Sequence, residues 1–345
     1  MSTKRKAIAL ISGGLDSMLA AKVVQDLGVH VEGINFFTGF CVEGHTHAIR
    51  KKDKPKRNNA LWVAEQLGIK LHIVDVVEPY KDVLLNPKHG YGQNMNPCLD
   101  CKSFMVGQAV KWIKENNFDF IVTGEVVGQR PMSQRRDTMP VVARESGAND
   151  LLLRPLCAKI LPPTLPEREG WVDRDKLLAF NGRSRKPQIA LANSLGFTEF
   201  AQPAGGCCFL TDPNYSKRLV DLWHGRHDRD YELDDVMLLK VGRHIRPNDN
   251  FKMIVGREEG ENNFLEGYRK QFIHMRTPDH SGPLVLLDGN PSADDIELAA
   301  RITARFGKGK SLPLVKVEIG ELSGVKKLIE VKPISPSEMP EDWTL

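Results

Sequence analysis

The chain has 345 residues, more than one hydrophobic core ordinarily serves, so two or three domains are expected. With 41% hydrophobic and 27% charged residues it has the composition of a soluble globular protein, and its net charge of +4 permits a polyanionic partner without requiring one. No stretch approaches the roughly 20 apolar residues of a membrane span, and residues 1–6 run into a strand without a signal-peptide hydrophobic region, so a cytoplasmic protein without a membrane partner is expected.

Residues 7–11, Ala-Ile-Ala-Leu-Ile, form an apolar run of strand length. It breaks into Ser12-Gly13-Gly14-Leu15-Asp16-Ser17 and then into a helical stretch to residue 27. A strand, a Gly-containing turn and a helix start form a phosphate site, because first-turn amides lack intrahelical acceptors and the helix dipole is positive there. Further strands are expected at 30–36, 70–76 and 120–123, and helices at 57–67, 102–115 and 186–195. Short apolar runs alternating with helices predict the α/β class, as an open, doubly wound parallel sheet. Residues 36–57 and 86–99 are irregular and follow strand ends, which places them over the ligand-binding edge. Residues 129–137 are expected to form a mobile loop. Basic clusters lie at 50–57, 183–186 and 243–246.

The first, catalytic region is expected to span 1–210. A helical connector follows at 211–228, with its helix at 216–223. Residues 229–331 read as a smaller α+β domain, with strands at 236–241, 251–256, 264–268, 284–287 and 314–318, a helix at 292–305 and a turn at 246–250. Residues 332–345, with three prolines, are expected to form a poorly ordered tail.

Six cysteines in a reducing compartment argue against structural disulfides. Cys98 and Cys101 form a CxxC pair before the expected helix, where the helix end lowers thiol pKa values. Cys207 and Cys208 lie in a second Gly-rich loop, whereas Cys41 and Cys157 are isolated. If the two loops converge, three thiolates leave one open coordination position, which suits a 4Fe–4S cluster carrying an extra sulfur. A structural zinc would take its fourth ligand from His45, His47, His89 or the remaining cysteine.

Ser12 to Ser17 resembles the SGG-x-DS signature of the PP-loop ATP pyrophosphatase superfamily, whose fold is of the adenine nucleotide alpha hydrolase-like type and which includes the tRNA thiolation enzymes. Asn96-Pro97-Cys98 with Cys101, and Gly206-Cys207-Cys208-Phe209, resemble the cysteine segments of 2-thiouridine synthases. Thr123-Gly124-Glu125-Val126-Val127-Gly128-Gln129 resembles the TGExxGQxxSQ stretch of 4-thiouridine synthases, with three residues rather than two before Ser133-Gln134. Residues 242–263 resemble the NFACT RNA-binding domain, with Glu258 after Arg257 where the family has Asn.

The resemblance implies ATP-dependent thiolation of a tRNA uridine, with sulfide or a persulfide carrier as sulfur donor. It places ATP on Ser12, Gly13, Gly14, Asp16 and Ser17, and the nucleotide beside Asn35, Phe36, Gly124 and Gln129. Asp16 is the candidate Mg²⁺ ligand. Glu125 is a candidate polar contact or base, and Arg130, Arg135 and Arg136 are candidate phosphate contacts. The implied cluster ligands are Cys98, Cys101 and one of Cys207 or Cys208, with Cys207 preferred. The cluster-free alternative uses Cys98 and Cys208. A cluster-dependent desulfidase, a non-catalytic ATP- and RNA-binding factor and a homodimer stay open, as do the uridine position and the 2-thio or 4-thio product.

Overall fold

The computed structural model describes residues 4–41, 58–200 and 208–345. They divide into two units, one ending at Cys208 and one beginning at Phe209. Cys207, His45, His47 and the basic cluster at 50–57 lie outside the described residues. No described helix is long and apolar enough to cross a membrane.

The first unit is the expected α/β parallel sheet. Strands β1 (Lys6–Leu10), β2 (His30–Phe37), β3 (Leu71–Asp75), β4 (Phe120–Val122) and β5 (Leu152–Leu153) lie in the order β3-β2-β1-β4-β5. Every pairing is parallel. The order reverses between β1 and β4, where such sheets leave a crevice at the strands' C-terminal ends.

The period of two in β1 loads both faces. Ala7 and Ala9 pack with Met18, Leu19 and Val63, whereas Ile8 packs with Ile34, Val106 and Ile121. Helices α1 (Leu15–Asp26) and α2 (Asn59–Leu67) supply the first layer; α4 (Cys98–Asn116) and α5 (Thr138–Glu145) supply the second. The remaining helices are α3 (Val77–Leu85), the one-turn α6 (Leu165–Arg168) and α7 (Lys186–Ser194). The α2 start is set by Asn58, whose side chain accepts the Ala60 and Leu61 N–H groups. Helix α4 begins four residues before the expected start, directly after Pro97, so Cys98 and Cys101 both sit in its first turn.

The second unit is a smaller, antiparallel β-rich domain. Helices α8 (Pro213–Arg226) and α9 (Leu233–Leu238) precede strands β6 (Arg243–Asn248) and β7 (Phe251–Val255), then α10 (Glu259–Glu266), β8 (Ile273–Arg276) and β9 (Val285–Gly289). Helix α11 (Ala293–Phe306), β10 (Val315–Gly320) and β11 (Lys326–Val331) complete it. The sheet order is β11-β10-β8-β9-β7-β6. Ala299, Ala300, Ile302 and Ala304 of α11 pack on Met253, Met275, Val285 and Val317.

Four expectations for this unit are corrected. Residues 236–241 are not a strand: a capping box between Glu232 and Asp235 starts α9 and overrides the apolar run. Residues 264–268 end α10 and turn. The turn expected at 246–250 is mostly strand, since β6 runs to Asn248. The stretch expected as a loose tail packs instead, with Ile334 only 2% exposed and the Leu345 N–H donating to His244 O at 3.0 Å.

Candidate active site

The phosphate loop leaves β1 at the sheet's switch point. Gly13 has φ +79°, a left-handed value that a side chain rarely tolerates. Ser17 Oγ donates to Gly14 O at 2.8 Å and accepts the Ser12 N–H at 3.3 Å, closing the loop around the helix start. Asn35 Nδ2 donates to Ile11 O at 2.6 Å, fastening the end of β2 to the same loop. Phe36 is 7% exposed in the core beside Ile8 and Ile34, which leaves its backbone rather than its ring for a ligand.

The segment after β4 closes over Asp16. A Cβ on Gly124 would lie 2.4 Å from Asp16 C and O, so only glycine allows this approach. Gln129 Nε2 donates to Asp16 Oδ2 at 2.5 Å, and Gln188 Nε2 donates to Gln129 Oε1 at 2.8 Å. Arg185 lies 3.5 Å from the same Asp16 oxygen. Asp16 Oδ1 is buried without a hydrogen-bond partner, the condition of a carboxylate oxygen that awaits a cation or a proton donor. That oxygen fits the expected Mg²⁺ role. Residues 129–137, expected as a mobile loop, are tied back by the Gly128 N–H bond to Gln134 O at 2.6 Å.

Glu125 is an internal anchor. It is 1% exposed, accepts from Thr123 Oγ1 at 2.7 Å and from Arg154 Nε at 3.2 Å. Burial favours its neutral form, but Lys102, Arg154 and Thr123 together hold it below the usual carboxylate range. A carboxylate so held is a weak base. Of the arginines, Arg135 pairs with exposed Asp137.

The thiols gather differently from the expected grouping. Cys98 Sγ donates to Ser133 Oγ at 3.4 Å. Cys101 hydrogen-bonds to Tyr80 on α3, and the charges of Cys208 and Cys41 act on the same phenol through space. Tyr80 is 1% exposed, and burial, then these sulfurs, raise its pKa far above the ordinary value. It therefore stays a hydrogen-bond donor. Cys41 and Cys208 are partners in an isolated antiparallel bridge. Cys157 is unlike them: burial pushes its thiol up to about 11, which makes it inert. Among the described residues, the one group with single-ion spacing is His89, Asp100 and Glu145 rather than the cysteines.

Sequence reasoning missed Tyr80, Cys41, Arg185 and Gln188. The first two come from other strand ends and carry no local motif. Arg185 lies in the basic cluster at 183–186 and Gln188 in the helix expected at 186–195, and neither signal points to Asp16.

The second unit holds a cavity of about 1120 Å³. Arg243, Arg257, Arg305, Lys308 and Lys310 line it, together with Phe306, whose ring lies 5.3 Å from the Arg243 guanidinium.

Residues 5–144 match the family described as the tRNA methyl transferase HUP domain, and residues 242–344 match the NFACT protein RNA binding domain. The first unit thus carries a HUP-type domain over residues 5–144, and the second an NFACT-R-like domain over residues 242–344. The PP-loop unit is similar to the tRNA-specific 2-thiouridylase MnmA of Campylobacter curvus, with 30% identity over 126 residues. That similarity covers 35% of this chain and 35% of the relative's length. The MnmA of Christiangramia forsetii is 24% identical over 319 residues, which cover 82% of this chain and 74% of that protein. Among solved structures, a 4-thiouridine synthetase–RNA complex with bound ATP aligns with TM-score 0.40 and 20% identity, covering 68% of this chain and 52% of that one.

Proposed function

We propose that the protein thiolates a uridine of tRNA at the expense of ATP. The observation that carries this reading is the meeting, at one edge of one parallel sheet, of a phosphate loop and a group of thiols. Neither part alone explains the other. A desulfidase needs no ATP, and a mere ATP- and RNA-binding factor needs no thiols around a buried phenol.

A uracil carbonyl is a poor electrophile, because its oxygen is a poor leaving group. In the proposed reaction that oxygen attacks the ATP α-phosphate and pyrophosphate departs. Sulfur then attacks the carbon, and AMP leaves with the oxygen. Ser12 to Ser17 hold the phosphates through backbone N–H groups and the α1 dipole. Asp16 Oδ1 is the group that would hold a Mg²⁺ ion brought with ATP, which would neutralise phosphate charge. Gln129 and Arg185 hold the Asp16 carboxylate in place.

Cys101 and Cys208 are assigned the sulfur. Persulfide sulfur on Cys101 is released when the Cys208 thiolate attacks the Cys101 sulfur, giving a disulfide and sulfide. The Cys101 hydrogen bond to Tyr80, with the through-space action of Cys208 on the same phenol, supports this pair over Cys98 with Cys208. A second reading, a 4Fe–4S cluster on Cys98, Cys101 and one of Cys207 or Cys208, is favoured by the two cysteines of the first turn of α4, both part-exposed. The RNA is held by the basic cavity of the NFACT-R-like unit.

The test is incubation of the full chain with tRNA, ATP, Mg²⁺ and either sulfide or a persulfide carrier, followed by nucleoside analysis. Thiouridine and AMP in equal amounts are expected. AMP without thiouridine, or tight tRNA binding without AMP, overturns the reading. Iron and sulfide analysis after anaerobic purification separates the two sulfur carriers.

A further inference from the structure

The structure adds a third thiol to the pair just assigned. We propose that Cys41 is a resolving cysteine, which takes the disulfide from Cys208 by thiol–disulfide exchange and returns Cys101 to its thiol form. The proposal rests on the thiolation reading for its purpose, but not for its geometry.

Cys41 follows β2, and Cys208 reaches it from a part of the chain more than a hundred residues away. They are direct partners in an antiparallel bridge. Residues so paired have Cα atoms about 4.5–5.5 Å apart, within the roughly 4.4–6.8 Å that a disulfide spans. The Cys41 segment is held firmly. Phe40 is fully buried, its N–H donates to Thr38 Oγ1 at 3.3 Å, and its ring lies 6.1 Å from that of Tyr80. Thr38 Oγ1 also lies 3.5 Å from Cys41 Sγ, a hydroxyl placed to donate to a thiolate. Cys101 is hydrogen-bonded to Tyr80, the phenol on which the charges of Cys41 and Cys208 also act. Cys208 thus faces Cys41 directly across the bridge, and its sulfur acts through space on the phenol to which Cys101 is hydrogen-bonded.

The chemistry balances without an added oxidant. Release of sulfide leaves Cys101–S–S–Cys208, the two thiol sulfurs having been oxidised as the sulfane sulfur was reduced. The Cys41 thiolate attacks the Cys208 sulfur, the Cys41–Cys208 bond forms, and the Cys101 thiolate departs with its electron pair. Cys101 can then accept the next persulfide sulfur. A dithiol reductant opens the Cys41–Cys208 bond and is itself oxidised to a disulfide.

The test is disulfide mapping on the full chain, oxidised with a limiting amount of diamide, blocked with an alkylating agent and digested without reduction. It needs neither ATP nor tRNA, so it can be read even if thiolation fails. Wild type is expected to carry Cys41–Cys208 as its main disulfide. Cys41→Ser should lose that bond and carry Cys101–Cys208 in its place, while Cys101→Ser should keep it. Wild type that carries Cys101–Cys208 as its main bond, or in which Cys41 is recovered fully alkylated, overturns the proposal. So does a Cys101→Ser variant without the Cys41–Cys208 bond.

Discussion

Gln129 Nε2 donates to Asp16 Oδ2 at 2.5 Å, and this one bond ties the segment after β4 to the phosphate loop after β1. Gln188 on α7 continues the chain by donating to Gln129. Asp16 is thereby left with one oxygen engaged and one buried oxygen free of any partner.

Gln129→Ala should weaken ATP binding in the presence of Mg²⁺. A hydrogen bond to a charged group contributes about 1.5–3 kcal/mol, so a loss of roughly 10- to 100-fold in affinity is expected by calorimetric titration. Unchanged affinity would show that Asp16 needs no fixing for the nucleotide.

Gly124→Ala puts a Cβ 2.4 Å from the Asp16 backbone, whereas Gly14→Ala meets only Ser12 Oγ at 3.6 Å. Overpacking of the first kind costs about 1–3 kcal/mol. Gly124→Ala should therefore lower the melting temperature and ATP affinity together. Gly14→Ala should leave the melting temperature unchanged.

Tyr80→Phe keeps the ring contacts with Phe40 and Phe104 but removes the hydroxyl that Cys101 uses. A donor lost from a thiolate makes that thiolate less stable. Alkylation of Cys101 at neutral pH should slow, with little change in melting temperature, as read by mass spectrometry of the labelled peptide.

Asp295 supplies a pH dependence in the second unit. Burial opposes its charge, but the Ser292 N–H, Asn250, Asn248 and the Ser292 hydroxyl outweigh it and hold the pKa at about 2, below the ordinary 3.8. The folded pKa is the lower one, so the stabilisation is complete above the ordinary value and is lost as pH falls from about 4 toward 2. Asp295→Asn should cost about 1–2 kcal/mol at neutral pH and flatten that acid limb. Hydrogen exchange in α11, measured against pH, reads both effects.

Legibility followed locality. Residues 7–17 declare their strand, turn and helix because each signal lies within a few positions, and the parallel sheet follows from repetition of that unit. The CxxC pair was equally visible. What its motif did not carry was the split: Cys98 turns to Ser133, while Cys101 turns to Tyr80. Cys41 looked isolated because its partner is brought to it only by the tertiary fold. In the second unit, the apolar residues 236–241 suggested a strand, and the capping carboxylates Glu232 and Asp235 were the contrary signal available in the sequence. Strand β11 was hidden by its polarity, since Lys326, Lys327 and Glu330 lie exposed on an edge strand.

The central claim is adenylation of a uridine oxygen. It is tested most directly with tRNA whose uracil carbonyl oxygens carry ¹⁸O, incubated with the full chain, ATP, Mg²⁺ and a sulfur donor. The account predicts that the AMP formed carries one heavy oxygen for each thiouridine made. AMP without the label would mean that ATP is hydrolysed by water and that the base oxygen is never activated.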